Sequence, residues 1–238
     1  MKKKSILIYF VVLHALLGLI LWDSNFIAKT STRLGLRAQP ELTDHYHHMV
    51  AFHREGDDQV PQGATIFIGD SLTQSLYVGA ITRPSVNYGI GNDTTTGVLK
   101  RIPHYRSLER AEKIVLAIGI NDMRYRPNED LLENYRAILS ALPAETPIFI
   151  NSILPVSRDG IIEATRVRIE SLNDQLKKIA EAETRLTFVS PNSALSDEKG
   201  LLLDQYHKGD GVHLNHLGNT VWMATLKDAL KTTSSETQ

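Results

Sequence analysis

Short apolar runs that alternate with helical stretches admit few folds, and that alternation fills most of this chain. The runs are Thr65–Ile68, Ser85–Tyr88, Lys113–Ile118, Pro147–Ser152 and Leu186–Val189. Between and after them, helical patterning covers residues near 94–102, 129–141, 161–182 and 215–230. Strands alternating with helices define the α/β class, here a parallel sheet of five strands with helices packed against it. An earlier helix is expected over Glu41–Arg54, where Leu42, Tyr46, Met49, Val50 and Phe52 recur with a roughly helical period. No internal repeat is present, which argues against a solenoid.

The chain of 238 residues suffices for one ordinary domain and a short appendage. Its 26 basic and 27 acidic residues nearly balance, so neither a nucleic-acid footprint nor an acidic polymer partner is indicated. The absence of cysteine excludes disulfides, thiolate catalysis and cysteine-ligated zinc together.

The appendage lies at the amino terminus. Lys2, Lys3 and Lys4 precede an apolar run from Ile6 to Trp22, which at about 17 residues sits at the lower limit for a spanning helix. Asp23, Ser24, Asn25 and Phe26 follow it, so no small-residue cleavage site adjoins the run. Residues 1–22 therefore read as an uncleaved membrane anchor in preference to a cleaved signal. Residues 23–40, polar and ending at Pro40, read as a linker, 41–231 as the folded domain, and 232–238 as a disordered tail. The three lysines place the amino terminus inside and the domain outside, on the periplasmic face of a bacterial inner membrane, or secreted if the segment is cut.

Four histidines, His45, His47, His48 and His53, fall within the 41–54 helix. His45 and His48 could share a face and hold a metal. Nothing acidic nearby completes a ligand set, so a polar helix surface is the preferred reading and no metal is expected.

Functional groups of an open parallel sheet gather beyond the carboxyl ends of its strands. Three polar segments meet that condition. Gly69-Asp70-Ser71-Leu72 follows the first strand, and its serine could present a hydroxyl at the sheet edge; Asp70 or Ser71 could equally be a helix cap. Asn87-Tyr88-Gly89-Ile90-Gly91-Asn92-Asp93-Thr94 follows the second, where two glycines permit a tight turn or a close approach to a ligand. It lacks the dinucleotide spacing. Gly119-Ile120-Asn121-Asp122 follows the third, and Asn121 could aim amide donors at an anion or simply satisfy a turn. A fourth segment, Asp210-Gly211-Val212-His213, precedes the last helix. Its carboxylate could fix the histidine tautomer, or Asp210 and Asn215 could serve as caps. Together the four supply a nucleophile, anion donors, a base and its orienter, a combination that points to catalysis. Arg124 and Arg126, after the third segment, read as solvated loop charges.

These four segments resemble, in order, the conserved blocks of the GDSL or SGNH hydrolases, over about residues 64–218. The resemblance implies a three-layer α/β/α sandwich of flavodoxin-like type and a serine esterase that needs no cofactor. By position it makes Ser71 the nucleophile, His213 the general base and Asp210 its partner. The oxyanion hole would combine the Asn121 side chain with the backbone amides of Ser71 and Asn92. Asn92 stands where the family usually has glycine; it keeps the main-chain donor and tolerates positive φ better than most residues. The implied substrates are carboxylic esters, either lipid-like acyl esters or O-acetylated glycans. An acyltransferase to an envelope sugar would use the same residues, and a glycan-binding module without turnover is the alternative from outside enzymology.

Overall fold

A computed structural model describes residues 2–23, 41–157 and 163–232. The chain divides into two units, Met1–Pro40 and Glu41–Gln238.

In the first unit the apolar run forms a helix, α1 (Lys2–Asp23). Ile6, Leu7, Phe10, Val11 and Leu17 are among the large apolar side chains it exposes. The polar His14 within it is satisfied locally, its Nδ1 lying 2.7 Å from the Phe10 carbonyl. Among the described residues no helix is long and apolar enough to cross a membrane. The linker assigned to 23–40 lies outside the described residues but for Asp23, which ends α1.

The second unit holds five parallel strands: β1 (Thr65–Gly69), β2 (Ser85–Gly89), β3 (Lys113–Ala117), β4 (Ile148–Asn151) and β5 (Leu186–Val189). Their order is β2-β1-β3-β4-β5. All five expected strands are present, with no end shifted by more than one residue. Pro147 drops out of β4 because it has no N–H to give the ladder, although its carbonyl accepts from Ile114 N at 3.0 Å.

The helices of this unit are α2 (Asp44–Asp57), α3 (Ser71–Gln74), α4 (Thr95–Arg101), α5 (Asn128–Ala141), α6 (Glu163–Glu181), α7 (Asn192–Leu195) and α8 (His216–Thr232). Thr43 caps α2 by accepting from Tyr46 N at 3.2 Å, so the helix starts after Glu41 and runs on to Asp57. α8 includes Thr232, which moves the start of the expected tail; residues 233–238 lie outside the described residues.

The pleat sorts the sheet into two faces. Lys113 and Asn151 share one of them, and both meet α8: Lys113 Nζ donates to the Leu230 carbonyl at 3.0 Å, and Trp222 Nε1 donates to Asn151 Oδ1 at 2.8 Å. Right-handed crossovers send α4, α5 and α6 to the other face, giving three layers. Ile66, Ile68, Ile114, Leu116, Ile148 and Ile150 on one face and Phe67, Val115 and Phe149 on the other are all buried, as a doubly covered parallel sheet requires.

Two expectations fail in this unit. His53 is not part of a polar surface: it is buried, its ring centroid 4.9 Å from that of Tyr88, and burial, reinforced by the Arg101 charge, pulls its pKa down to about 4. Arg126 is not a solvated charge either. Only 11% of its side chain is exposed, and it pairs with both Asp122 and Glu41. Arg124 is exposed, as expected.

Candidate active site

Strand order reverses between β1 and β3, and in open α/β sheets ligands bind beyond the carboxyl ends at such a point. The register lines up Gly69, Gly89 and Ala117 across β1, β2 and β3. The three polar segments leave the sheet side by side from that row.

After Gly69 the chain turns at once into α3. Asp70 caps it by accepting from Leu72 N at 3.0 Å, and Ser71 occupies its first position. Capping and presentation of the serine are therefore both realised. Ser71 Oγ lies 2.9 Å from His213 Nε2, although 142 positions separate them. The other ring nitrogen, His213 Nδ1, lies 2.6 Å from Asp210 Oδ2. The second carboxylate oxygen accepts from Val212 N at 3.0 Å and His213 N at 2.8 Å, so one side chain fixes both its own loop and the ring.

Partial burial pushes the Asp210 carboxyl up, but the two backbone donors and the His213 ring outweigh it and hold the pKa at about 2. Sequence reading passed over His207, whose Nδ1 accepts from Gly209 N at 2.9 Å and Gly211 N at 3.2 Å and so gathers the same loop. Asn215 accepts from Leu217 N and Gly218 N and caps α8, leaving Asp210 to the histidine.

The second segment bends back over α3. Ile90 N donates to the Gly69 carbonyl at 3.0 Å, Gly91 N donates to Gln74 Oε1 at 2.6 Å, and Asp93 N donates to the Ile90 carbonyl at 3.1 Å. Asn92, between these tethers, is exposed and takes the left-handed conformation at φ 61°, which asparagine tolerates. Its N–H has no partner among the described residues. From the third segment, Asn121 is buried and donates one amide hydrogen to the Asp93 carbonyl at 3.0 Å, leaving the second. The turn reading of Asn121 is thus realised, with one amide hydrogen left over.

Beneath these loops lies a charged layer that motif reading did not find. Asp93 and Arg101, both fully buried, pair at 2.8 Å, and Arg101 Nη2 donates to the Gly69 carbonyl at 3.2 Å. Burial raises Asp93 to about 6 against the opposing Arg101 charge. Asp122 accepts from Thr95 N at 3.0 Å and from Thr95 Oγ1 at 2.5 Å. Among the described residues no cluster of histidine and acidic side chains could hold a metal, and the His45 ring rests 3.4 Å from the Gln74 amide.

The family model of the GDSL-like lipase/acylhydrolases matches residues 61–221. The chain belongs to that family and is a carboxylic ester hydrolase. No curated protein matches it. Among solved structures it is similar to a Streptococcus pneumonia protein named for platelet activating factor: 28% identity, 79% of this chain and 94% of that one covered, TM-score 0.71. A GDSL-like lipase of Bacteroides thetaiotaomicron matches at 19% identity over 77% and 98% of the two chains, TM-score 0.63. A lipase/acylhydrolase of Enterococcus faecalis matches at 19% over 71% and 96%, TM-score 0.63. The last two bear on the fold alone.

Proposed function

We propose that Ser71 cleaves lipid-like acyl esters through an acyl-serine. The observation that carries this reading is the pair of short contacts from Ser71 Oγ to His213 Nε2 and from His213 Nδ1 to Asp210. His213 takes the hydroxyl proton as Oγ attacks the ester carbonyl. The carbonyl oxygen then carries the negative charge, held by the Ser71 and Asn92 N–H groups and the remaining Asn121 amide hydrogen. Collapse breaks the bond to the alkoxy group, which leaves with the proton from His213. Water, giving its proton to the same ring, attacks the acyl-serine; the bond to Oγ breaks, Oγ takes the proton back from His213, and the acid is released.

The name of the matched family, lipase/acylhydrolase, supports the acyl-ester reading. The amino-terminal helix suits the same setting, because its apolar side chains and leading lysines are fitted to hold a domain at a lipid surface.

The test is hydrolysis of p-nitrophenyl esters from acetate to long acyl chains by the full chain, beside Ser71→Ala. Turnover should rise beyond acetate, and the variant should lose roughly 10³-fold or more in kcat. Undiminished hydrolysis by Ser71→Ala removes the serine mechanism, and turnover that needs an added sugar acceptor replaces hydrolysis with acyl transfer.

A further inference from the structure

The structure assigns Gln74 as a positioning residue for the oxyanion donor on the second loop, an inference that rests on the acyl-serine reading above. Gln74 ends the same single turn that Ser71 begins. Its side chain reaches over the end of β2 and accepts the Gly91 N–H at 2.6 Å. Because an N–H can only donate, the amide oxygen must face Gly91 and the amide nitrogen must face away.

The neighbouring contacts show why this bond matters. The backbone of α3 is already pinned to β2: Asn87 Nδ2 donates to the Thr73 carbonyl at 2.7 Å and the Leu76 carbonyl at 2.9 Å. A side chain at Gly89 would overlap the Gln74 backbone nitrogen, so the helix sits directly on the strand end. Those contacts stop at residue 89, and one backbone bond, from Ile90 N to the Gly69 carbonyl, ties the loop to the end of β1. The peptide that carries the Asn92 N–H begins beyond it, at Gly91.

Engaging the Gly91 N–H fixes one end of that peptide's residue pair, and the left-handed turn at Asn92 sets the other. The Asn92 N–H then remains the unengaged donor of the pair. Gln74 therefore gives the serine and its second-loop donor a common frame: one short helix holds the nucleophile at its first residue and the donor loop at its last. The bond is made to the loop rather than to substrate, so its loss should appear where negative charge develops and not in ground-state binding.

The experiment compares wild type, Gln74→Met, which keeps length but accepts no hydrogen bond, and Gln74→Asn, which keeps the amide but is one methylene short. His45→Ala removes the other neighbour of the Gln74 amide while leaving the Gly91 bond. Each is measured for kcat and KM on one p-nitrophenyl ester, for inhibition by an alkyl boronic acid, which forms a tetrahedral anionic adduct on a serine, and for thermal unfolding. Both Gln74 variants should lose about 10- to 100-fold in kcat, the cost of a misplaced donor. KM should hold, boronate affinity should fall by the same factor, and His45→Ala should match wild type. Wild-type kcat and boronate affinity in either folded Gln74 variant overturns the inference. So does a loss of kcat with boronate affinity intact, or an equal loss in His45→Ala. A wild type that hydrolyses no ester in a Ser71-dependent way is a different failure, and removes the underlying reading itself.

Discussion

Two aspartates within the site's loops sit in opposite environments, and the difference predicts how acid and base affect the protein. Asp210 is half-exposed and surrounded by donors, and its pKa is held at about 2. Its folded value lies below its unfolded one, so its contribution to stability is present above about pH 4 and is lost as pH falls towards 2. Asp70 is buried. Burial pushes its carboxyl up to about 7 against the Leu72 N–H, with Asp93 and Asp122 adding to the rise. Its folded value lies above its unfolded one, so its share of stability is full below about pH 4 and is lost as pH rises through about 7. Asp70→Asn keeps a side-chain oxygen for the Leu72 cap and removes the titration. Thermal unfolding from pH 5 to pH 8 should therefore fall less steeply in the variant than in wild type, and parallel curves would show that Asp70 does not titrate there.

At the scale of elements, α8 is joined to the sheet at two points, through Trp222 to Asn151 and through Leu230 to Lys113. Because α8 follows directly on the His213 loop, this joint also sets where the His213 ring sits. Trp222→Phe leaves Asn151 Oδ1 buried without its donor and should cost about 1–3 kcal/mol, read by denaturant unfolding, with kcat lowered if the helix shifts. The strands and three of the four site segments were legible because period and position after a strand are local properties. His53 was within reach as well: it stands seven residues beyond Tyr46 and so shares its buried helix face. The Gln74–Gly91 bond was not legible, because it depends on how far a loop folds back over a short helix, which no spacing encodes, whereas the Asp93–Arg101 pair spans only eight positions along α4 and was passed over. Arg126 misled because a loop position suggests solvent, whereas Glu41, 85 residues earlier, returns to cover it.

As a whole molecule the chain comprises an exposed apolar helix and a folded domain that falls into a separate unit. The two make separable contributions: deleting residues 1–40 should leave turnover of a soluble ester unchanged and abolish sedimentation with phospholipid vesicles. Vesicle binding that survives the deletion would place the lipid contact on the domain. The proposed catalytic groups are also unevenly placed along the chain. The serine and its anion donors lie between residues 71 and 121, on neighbouring strands, whereas the base and its carboxylate arrive only at 210–213, joined to the serine across 142 positions. During synthesis a nascent chain can therefore complete most of its sheet while still lacking the group that activates the hydroxyl. On the proposed mechanism, hydrolysis begins only once residues 210–213 have left the ribosome and docked, so a chain truncated before residue 210 should be inert towards p-nitrophenyl esters.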